Sequence, residues 1–241
     1  MADHQAHAHS FGPAAGAYER GRPPYPPEAL DWLLPPGSPR VLDLGAGTGK
    51  LTRQIAARGL AVTAVDPSEG MLGELRRVLP GVPAYTGTAE TIPLPDASVD
   101  AVVVAQAWHW VDPARAVPEV ARVLSPGGHL GLIWNLRDET TDWVRRLGEI
   151  MDSPEVDRRT DIGAPFGPVE KRYFPWTHRI DLARLLDMVA SRSYVILLSD
   201  TDRATLLDRV RELTETHPDL AGRQEFELPY LTECARATRA D

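Results

Sequence analysis

Lysine, cysteine and long apolar runs are scarce in this sequence. Its 241 residues include only two lysines, Lys50 and Lys171, and one cysteine, Cys234. A single cysteine cannot form an internal disulfide, which fits a reducing compartment. No apolar run approaches the ~20 residues of a membrane-spanning helix, and the N-terminus lacks the layout of a secretory signal. We therefore expect a cytoplasmic protein with no membrane partner.

Positive charge is also outnumbered. The chain has 26 Lys and Arg against 34 Asp and Glu, for a formal net charge of −8 at pH 7. A nucleic-acid surface needs clustered positive charge, so we expect no nucleic-acid partner. Because nearly all of the cations are arginine, arginine is the side chain available to bind carboxylates. The length and a hydrophobic content of 43% predict one large domain with an ample core.

Outside the N-terminal tail, residue clusters for metal binding or hydrolysis are missing as well. Histidines at metal-ligand spacing occur at His4, His7 and His9, where we expect a solvated tail and no metal. No Ser–His–Asp or Cys–His arrangement stands out, which argues against hydrolytic chemistry.

The most informative stretch runs from Arg40 to Leu51. It begins as an apolar run of buried-strand type, continues with Gly45, Gly47 and Gly49, and resumes with helical periodicity. A strand, a glycine turn and a helix together bring backbone N–H groups up to a ligand. A dinucleotide fingerprint would place its third glycine where this chain has Lys50, which disfavours an NAD-dependent oxidoreductase.

The spacing Asp-x-Gly-x-Gly-x-Gly, with Asp43 at the strand end, resembles motif I of the class I S-adenosylmethionine (SAM) dependent methyltransferases. The resemblance implies that the glycines let the chain pass against the methionine part of SAM. It also implies a Rossmann-like α/β fold with helices on both faces of a seven-stranded, mostly parallel sheet. The last strand would be antiparallel, and a helical cap would cover the active site. An ordinary glycine-rich turn is the alternative interpretation.

Asp66 ends the second predicted strand, about 20 residues after the glycine turn. An acid at this distance is placed to accept both ribose hydroxyls of an adenosyl group. Because Pro67 follows, a helix N-cap role for Asp66 is the alternative.

The segment after the third predicted strand is the expected adenine site. Many enzymes of this family have an aspartate after the glycine, whereas this chain has Thr88. The charge-assisted part of that hydrogen bond is then lost. We expect the Ala89 backbone N–H to serve the adenine ring and Glu90 to be a substitute acceptor.

The run Gln-Ala-Trp-His-Trp-Val-Asp follows the fourth predicted strand and includes His109 and Trp110. It resembles the corresponding segment of the trans-aconitate methyltransferase subgroup. That likeness implies a place for both residues beside the methyl-transfer channel. His109 is the candidate base if the acceptor is a hydroxyl. The alternative is that two tryptophans pack the loop and His109 is a hydrogen-bonded spacer.

Two further segments resemble the same subgroup. The stretch Tyr-Glu-Arg-Gly-Arg-Pro-Pro-Tyr-Pro, which contains Tyr18 and Arg22, looks like an N-terminal lid. The likeness implies that these two side chains meet the SAM carboxylate or the substrate, and a surface loop is the alternative. The second segment, Leu-x-Pro-Gly-Gly-x-Leu, leads into the predicted fifth strand, His129 to Asn135.

We divide the chain into a tail and lid segment, residues 1–26, and a single domain, residues 27–241. The SAM-binding core is predicted over 40–135. The cap and the C-terminal sheet edge follow over 136–241, with a seventh strand that begins at Gln224 and pairs at the sheet edge.

The predicted function is SAM-dependent methyl transfer to a small-molecule acceptor, at a carboxylate or hydroxyl oxygen, by a monomer or homodimer. Paired arginines in the pocket would favour a carboxylic acid, whereas an extended apolar pocket would favour C-methylation of a quinone-like ring. A SAM-binding module without turnover is a further alternative. The predicted cofactor-binding residues are Tyr18, Arg22, Asp43, Gly45, Ala46, Gly47, Thr48, Gly49, Asp66, Pro67, Met71, Thr88, Ala89, Glu90, Ala105, Gln106 and Trp110. The predicted catalytic residue is His109, and the predicted substrate-binding residues are Trp134, Asn135, Arg137, Arg192 and Tyr194.

Overall fold

The computed structural model describes residues 21–34, 36–152, 160 and 162–240. Tyr18 and the three tail histidines therefore lie outside the described residues. Residues 153–159 and 161 lie outside them too.

A seven-stranded sheet forms the centre of the molecule, with the strand order β3-β2-β1-β4-β5-β7-β6. The strands are β1 Arg40–Leu44, β2 Ala61–Asp66, β3 Ala84–Thr86, β4 Val99–Ala105, β5 Leu124–Arg137, β6 Glu170–Asp181 and β7 Glu225–Thr238. The pairs from β3 to β5 are parallel, and β7 runs antiparallel to both β5 and β6. The predicted antiparallel last strand is confirmed. Its place is corrected, because β7 is inserted between β5 and β6, and β6 forms the edge.

Four of the described helices begin at a residue whose side chain caps the first turn. Ser68 accepts the N–H of Met71, and Asp112 accepts the N–H of Ala114. The first helix has its proline at N1, where the missing N–H costs nothing. The helices are α1 Pro27–Leu33, α2 Lys50–Ala56, α3 Glu69–Val78, α4 Pro113–Val123, α5 Asp142–Met151, α6 Leu182–Ala190, α7 Ser193–Ile196 and α8 Asp200–Thr216, with a short 3₁₀ turn at Trp108–Trp110.

Strand alternation places a hydrophobic core on each face of the sheet. Val41 and Val103 face α1 and α2, whereas Leu42 and Val102 face α4. The central strands are apolar on both faces, as parallel strands covered by helices must be. A further cluster joins α5, α6 and α8 to the ends of β6 and β7, and this is the expected helical cap.

The predicted Pro-Gly-Gly turn lies inside the observed strand β5. Leu124 pairs with Val99, and the next matched pair is His129 with Ala101. The extra residues on β5 form a bulge in which Gly127 has φ of +72°. The sequence correctly indicated a break in regular geometry, but β5 begins before that break.

Within the part of the chain that the structure describes, no helix is both long and apolar enough to cross a bilayer.

Candidate active site

The carboxyl ends of the parallel strands lie together at one end of the sheet, and there the glycine turn follows β1. The N–H groups of Gly45 and Ala46 both donate to the carbonyl of Val65, at 2.8 and 3.1 Å. Gly49 begins α2 with φ of +88°, and a Cβ there would lie 2.9 Å from Cγ of Leu75. The turn therefore requires glycine for its backbone conformation and for the close approach of α3.

Asp43 lies beneath this turn and is fully buried. Its Oδ2 accepts the Thr52 hydroxyl at 2.6 Å, whereas its Oδ1 has no hydrogen-bond partner among the described residues. Burial, opposed by the Thr52 hydrogen bond and reinforced by the charge of Asp66, raises the pKa of Asp43 to about 7. A buried carboxylate oxygen without a donor is a place for a cationic group of a ligand.

Asp66 ends β2 and holds two loops together. Its Oδ2 accepts the N–H of Gly47 and its Oδ1 accepts the N–H of Ser68, each at 2.8 Å. Ser68, not Asp66, is the N-cap of α3. Each oxygen of Asp66 keeps a second lone pair for a ligand hydroxyl. Burial raises the pKa of Asp66, and the two backbone hydrogen bonds oppose that rise.

Gln106, the residue after β4, is in the left-handed region with φ of +57°. This conformation is uncommon for a residue other than glycine, and such outliers cluster at functional sites. The backbone N–H of Gln106 donates to the carbonyl of Ile133 at 2.9 Å. Its side-chain amide donates to the backbone carbonyl of Asn135 at 3.4 Å.

A segment that we call the strap, residues 21–26, crosses the sheet at the carboxyl ends of the parallel strands. The backbone of Tyr25 makes two hydrogen bonds with Gln54 of α2, at 2.7 and 3.0 Å. The amide of Asn135 donates to the carbonyl of Pro24 at 2.9 Å. Arg22 donates to the carbonyl of Ser191, beyond α6, at 3.3 Å. The strap thus joins α2, β5 and the cap.

Strap, glycine turn and cap enclose a cleft. Its lining residues are Arg22, Pro23, Tyr25, Asp43, Gly45, Ala46, Lys50, Leu51, Ala105, Gln106, Asn135, Arg192 and Tyr230. Eight of these were predicted as site residues. The other five, namely Pro23, Tyr25, Lys50, Leu51 and Tyr230, were missed by the sequence analysis.

Three arginines converge at the cap end of the cleft. Arg22 and Arg192 line it, and Arg137 is close enough for its charge to act on Arg192. Burial, followed by the charges of Arg22 and Arg137, lowers the pKa of Arg192 to about 9. The groups that raise this pKa are Tyr230 and Tyr194, and no described carboxylate is among them. The Nε atoms of Arg137 and Arg192 are buried without a hydrogen-bond partner in the described chain.

Trp134 does not join the cleft. It is 2% exposed and packs in the core on the α4 side of the sheet with Leu130 and Leu132. The next residue, Asn135, faces the cleft, because successive side chains of a strand point to opposite faces. The expectation that Trp134 lines the substrate pocket is therefore corrected.

His109 and Trp110 lie in the 3₁₀ turn after β4. Their rings are in contact, with centroids 4.7 Å apart, and Trp110 is 40% exposed. Neither residue is among the lining residues given above. The catalytic role of His109 and the cofactor role of Trp110 stay predictions.

The remaining predicted residues surround the cleft. Thr48 is buried in the glycine turn, and Met71 is buried in the first turn of α3, beyond the half-buried Pro67. Tyr194 is half-buried on α7 and packs against the cap cluster.

The expected adenine site begins just after β3. Thr88 is exposed and forms a short bridge with Thr91, and Ala89 is buried. One carboxylate oxygen of Glu90 accepts the N–H of Asp112 at 2.9 Å. That hydrogen bond uses one of the lone pairs with which Glu90 was expected to accept a hydrogen bond from adenine.

The cleft fits an amino-acid-bearing cofactor such as SAM. The oxygen of Asp43 without a described donor matches an α-ammonium group, and Lys50 can neutralise an α-carboxylate. Asp66 offers acceptors for the ribose of the same molecule.

Comparisons with known proteins agree with this assignment. The family description "Methyltransferase domain" matches residues 42–132. The chain is 60% identical over 233 residues to an uncharacterized methyltransferase of Mycobacterium tuberculosis H37Rv, which covers 96% of each chain. It is also 42% identical over 228 residues to an uncharacterized methyltransferase of Schizosaccharomyces pombe. That match covers 89% of this chain and 91% of the relative.

A solved structure resembles the fold over most of its length. It is a putative type II methyltransferase from Anaeromyxobacter dehalogenans, with a TM-score of 0.67 and 26% identity. The match covers 90% of this chain and 97% of that one. Together with the sheet order and the relatives, this likeness shows that the chain belongs to the class I SAM-dependent methyltransferases.

Proposed function

We propose that this enzyme transfers the methyl group of SAM to a carboxylate oxygen of a small-molecule acid. The observation that carries the proposal is the convergence of Arg22, Arg137 and Arg192 at one end of the cleft. All three residues are half-buried, and Arg137 pairs with Glu139 at 3.7 Å. Arg192 has no described carboxylate among the groups that act on its pKa, and a desolvated charge of this kind is unfavourable until an anion pairs with it. Guanidinium groups bind carboxylates with two parallel hydrogen bonds, which also orients the acid.

The two ends of the cleft differ in their charged groups, and this supports separate places for cofactor and acceptor. The end at the glycine turn has Asp43 and Lys50, which suit the ammonium and carboxylate groups of an amino acid, whereas the cap end has the arginines. When bound, SAM supplies an electrophilic methyl group on a sulfonium. The chain would hold the acid next to it, and such alignment contributes up to ~7–11 kcal/mol in favourable intramolecular reactions.

A carboxylate acceptor also explains why the cleft needs no base. Carboxylic acids ionise near pH 4, so at neutral pH the acceptor is already a nucleophile. His109, the candidate base for a hydroxyl acceptor, has no task in this proposal. C-methylation of a quinone-like ring is less well supported, because arginine and asparagine side chains line the acceptor end.

The proposal is tested with SAM carrying a radiolabelled methyl group and a panel of small carboxylic acids. A methyl ester releases its label as methanol in mild alkali, whereas a methyl group on carbon or nitrogen does not. We expect alkali-labile product from at least one acid. Label that stays bound after alkali treatment would contradict O-methylation of an acid, and tight SAM binding without any acceptor would favour the binding module.

A further inference from the structure

Tyr230 is the acceptor-end residue whose role the arginine cluster does not explain. It lies on β7, lines the cleft and is 2% exposed. Its hydroxyl is buried and makes no hydrogen bond to any described residue. A buried phenol without a partner is costly, so this hydroxyl is a candidate for contact with a ligand.

The phenol ring is held rigidly by its neighbours. It stacks on Trp176 of β6, with centroids 5.3 Å apart and an angle of 19° between the planes. The indole N–H of Trp176 donates to the Thr232 hydroxyl at 2.8 Å, and Thr232 donates to Oδ1 of Asn135 at 2.6 Å. Because Asn135 also donates one N–H to Pro24 of the strap, its amide is anchored through both its oxygen and its nitrogen. Tyr230 is thus a fixed donor beside an anchored amide.

The protonation state of Tyr230 suits a donor. Burial raises its pKa, and the charges of Arg192, Arg137 and Arg22 only partly oppose that rise. The phenol therefore keeps its proton at neutral pH. It cannot act as a phenolate base there, but it can donate one hydrogen bond to an anion.

We propose that Tyr230 contacts the acceptor and donates a hydrogen bond to one oxygen of its carboxylate, a position fixed by the Trp176–Thr232–Asn135 contacts. This inference rests on the proposed carboxylate acceptor. The guanidinium groups supply the charge that attracts the acid, and the phenol selects its orientation. A hydrogen bond to a charged group is worth about 10- to 100-fold in affinity.

The test uses Tyr230→Phe, which keeps the ring and its stacking on Trp176 and removes only the hydroxyl. Acetate, succinate, citrate and benzoate are titrated by calorimetry into full-length protein saturated with S-adenosylhomocysteine. We expect the variant to bind the best acid about 10- to 100-fold more weakly and S-adenosylhomocysteine within twofold of wild type. Tyr173→Phe, at a side chain 50% exposed on β6, is the matched control and should bind like wild type.

The same titration with Arg192→Met separates this inference from the proposed function. If Tyr230→Phe binds the acid like wild type while Arg192→Met loses it, the role of Tyr230 is overturned and the carboxylate site stands. If none of the four acids binds to wild type, the proposed function fails and the inference fails with it.

Discussion

At the scale of single residues, the site depends on buried groups that a ligand must complete. Asp43 has an oxygen without a described donor, and Arg192 is surrounded by charges of its own sign. Neither arrangement favours the folded protein by itself. Each is explained by a ligand charge of opposite sign.

Asp43 leads to a prediction about pH. Its pKa of about 7 in the free protein means that binding a cationic ammonium group below that pH must displace a proton. We expect affinity for S-adenosylhomocysteine to fall about tenfold per pH unit below 7 and to level off above it. Calorimetry between pH 5.5 and 8.5 measures this. Asp43→Asn should bind more weakly with a flat profile, and a flat wild-type profile would contradict the role of Asp43.

Arg192 leads to a prediction about stability. Replacing it with Met should leave the free energy of unfolding unchanged or raise it by about 1–3 kcal/mol, because a buried, repelled charge is removed. Turnover should fall at least 100-fold, since the acid loses charge-assisted hydrogen bonds. Urea unfolding and initial rates measure the two effects.

Arg179→Met is the matched control for Arg192→Met, because the Arg179 side chain is 70% exposed on β6. It should change neither stability nor turnover appreciably. A loss of stability in Arg192→Met with turnover retained would mean that Arg192 is a structural residue.

At the scale of secondary-structure elements, the position of the strap depends on close packing of its backbone against the backbone of α6. A Cβ added to Gly21 would lie 2.4 Å from backbone atoms of Asp187 and Met188 in α6. Backbone cannot move aside as the end of a flexible side chain can. The strap therefore sits where only glycine allows it to approach the cap.

Gly21→Ala should displace the strap and weaken binding of S-adenosylhomocysteine by about tenfold or more. The comparison is Gly81→Ala, where the added Cβ meets nothing within 4 Å. Calorimetry at one pH on both variants is sufficient. Equal affinities would show that the strap does not cover the cofactor.

The elements also show what the sequence could and could not predict. Local patterns were enough for the strand, glycine turn and helix around Asp43 and for the acid that ends β2, Asp66. They could not decide which face of β5 meets the cleft, so Trp134 and Asn135 were treated alike. Tyr230 was missed because its place depends on the pairing of β7 with β5 and β6, which is set by long-range contacts.

At the scale of the whole molecule, an acidic chain encloses a cleft whose cap end carries three arginines. The net charge is −8, yet the strap, β5 and the segment after α6 each bring an arginine to one place. The segments that carry Arg22, Arg137 and Arg192 are distant in sequence. Only the fold makes them a cluster, which is why composition indicated arginine as a carboxylate binder without indicating where.

Hydrogen exchange of the whole protein should report the two ligands separately. The glycine turn belongs to the sheet, whereas α6 and α7 belong to the cap and its own hydrophobic cluster. S-adenosylhomocysteine should slow exchange mainly at the turn after β1 and in the strap. A bound acid should add protection at α6 and α7. Added protection confined to Trp108–Trp110 would instead favour an acceptor site next to His109.

We expect the two ends of the cleft to be separable, with Asp43 serving the amino-acid part of the cofactor and Arg192 serving the acceptor. The most direct measurement is the dissociation constant of S-adenosylhomocysteine for wild type, Asp43→Asn and Arg192→Met at pH 8. We expect at least tenfold weaker binding by Asp43→Asn and binding within about twofold of wild type by Arg192→Met. Weak binding by Arg192→Met together with unchanged binding by Asp43→Asn would contradict it.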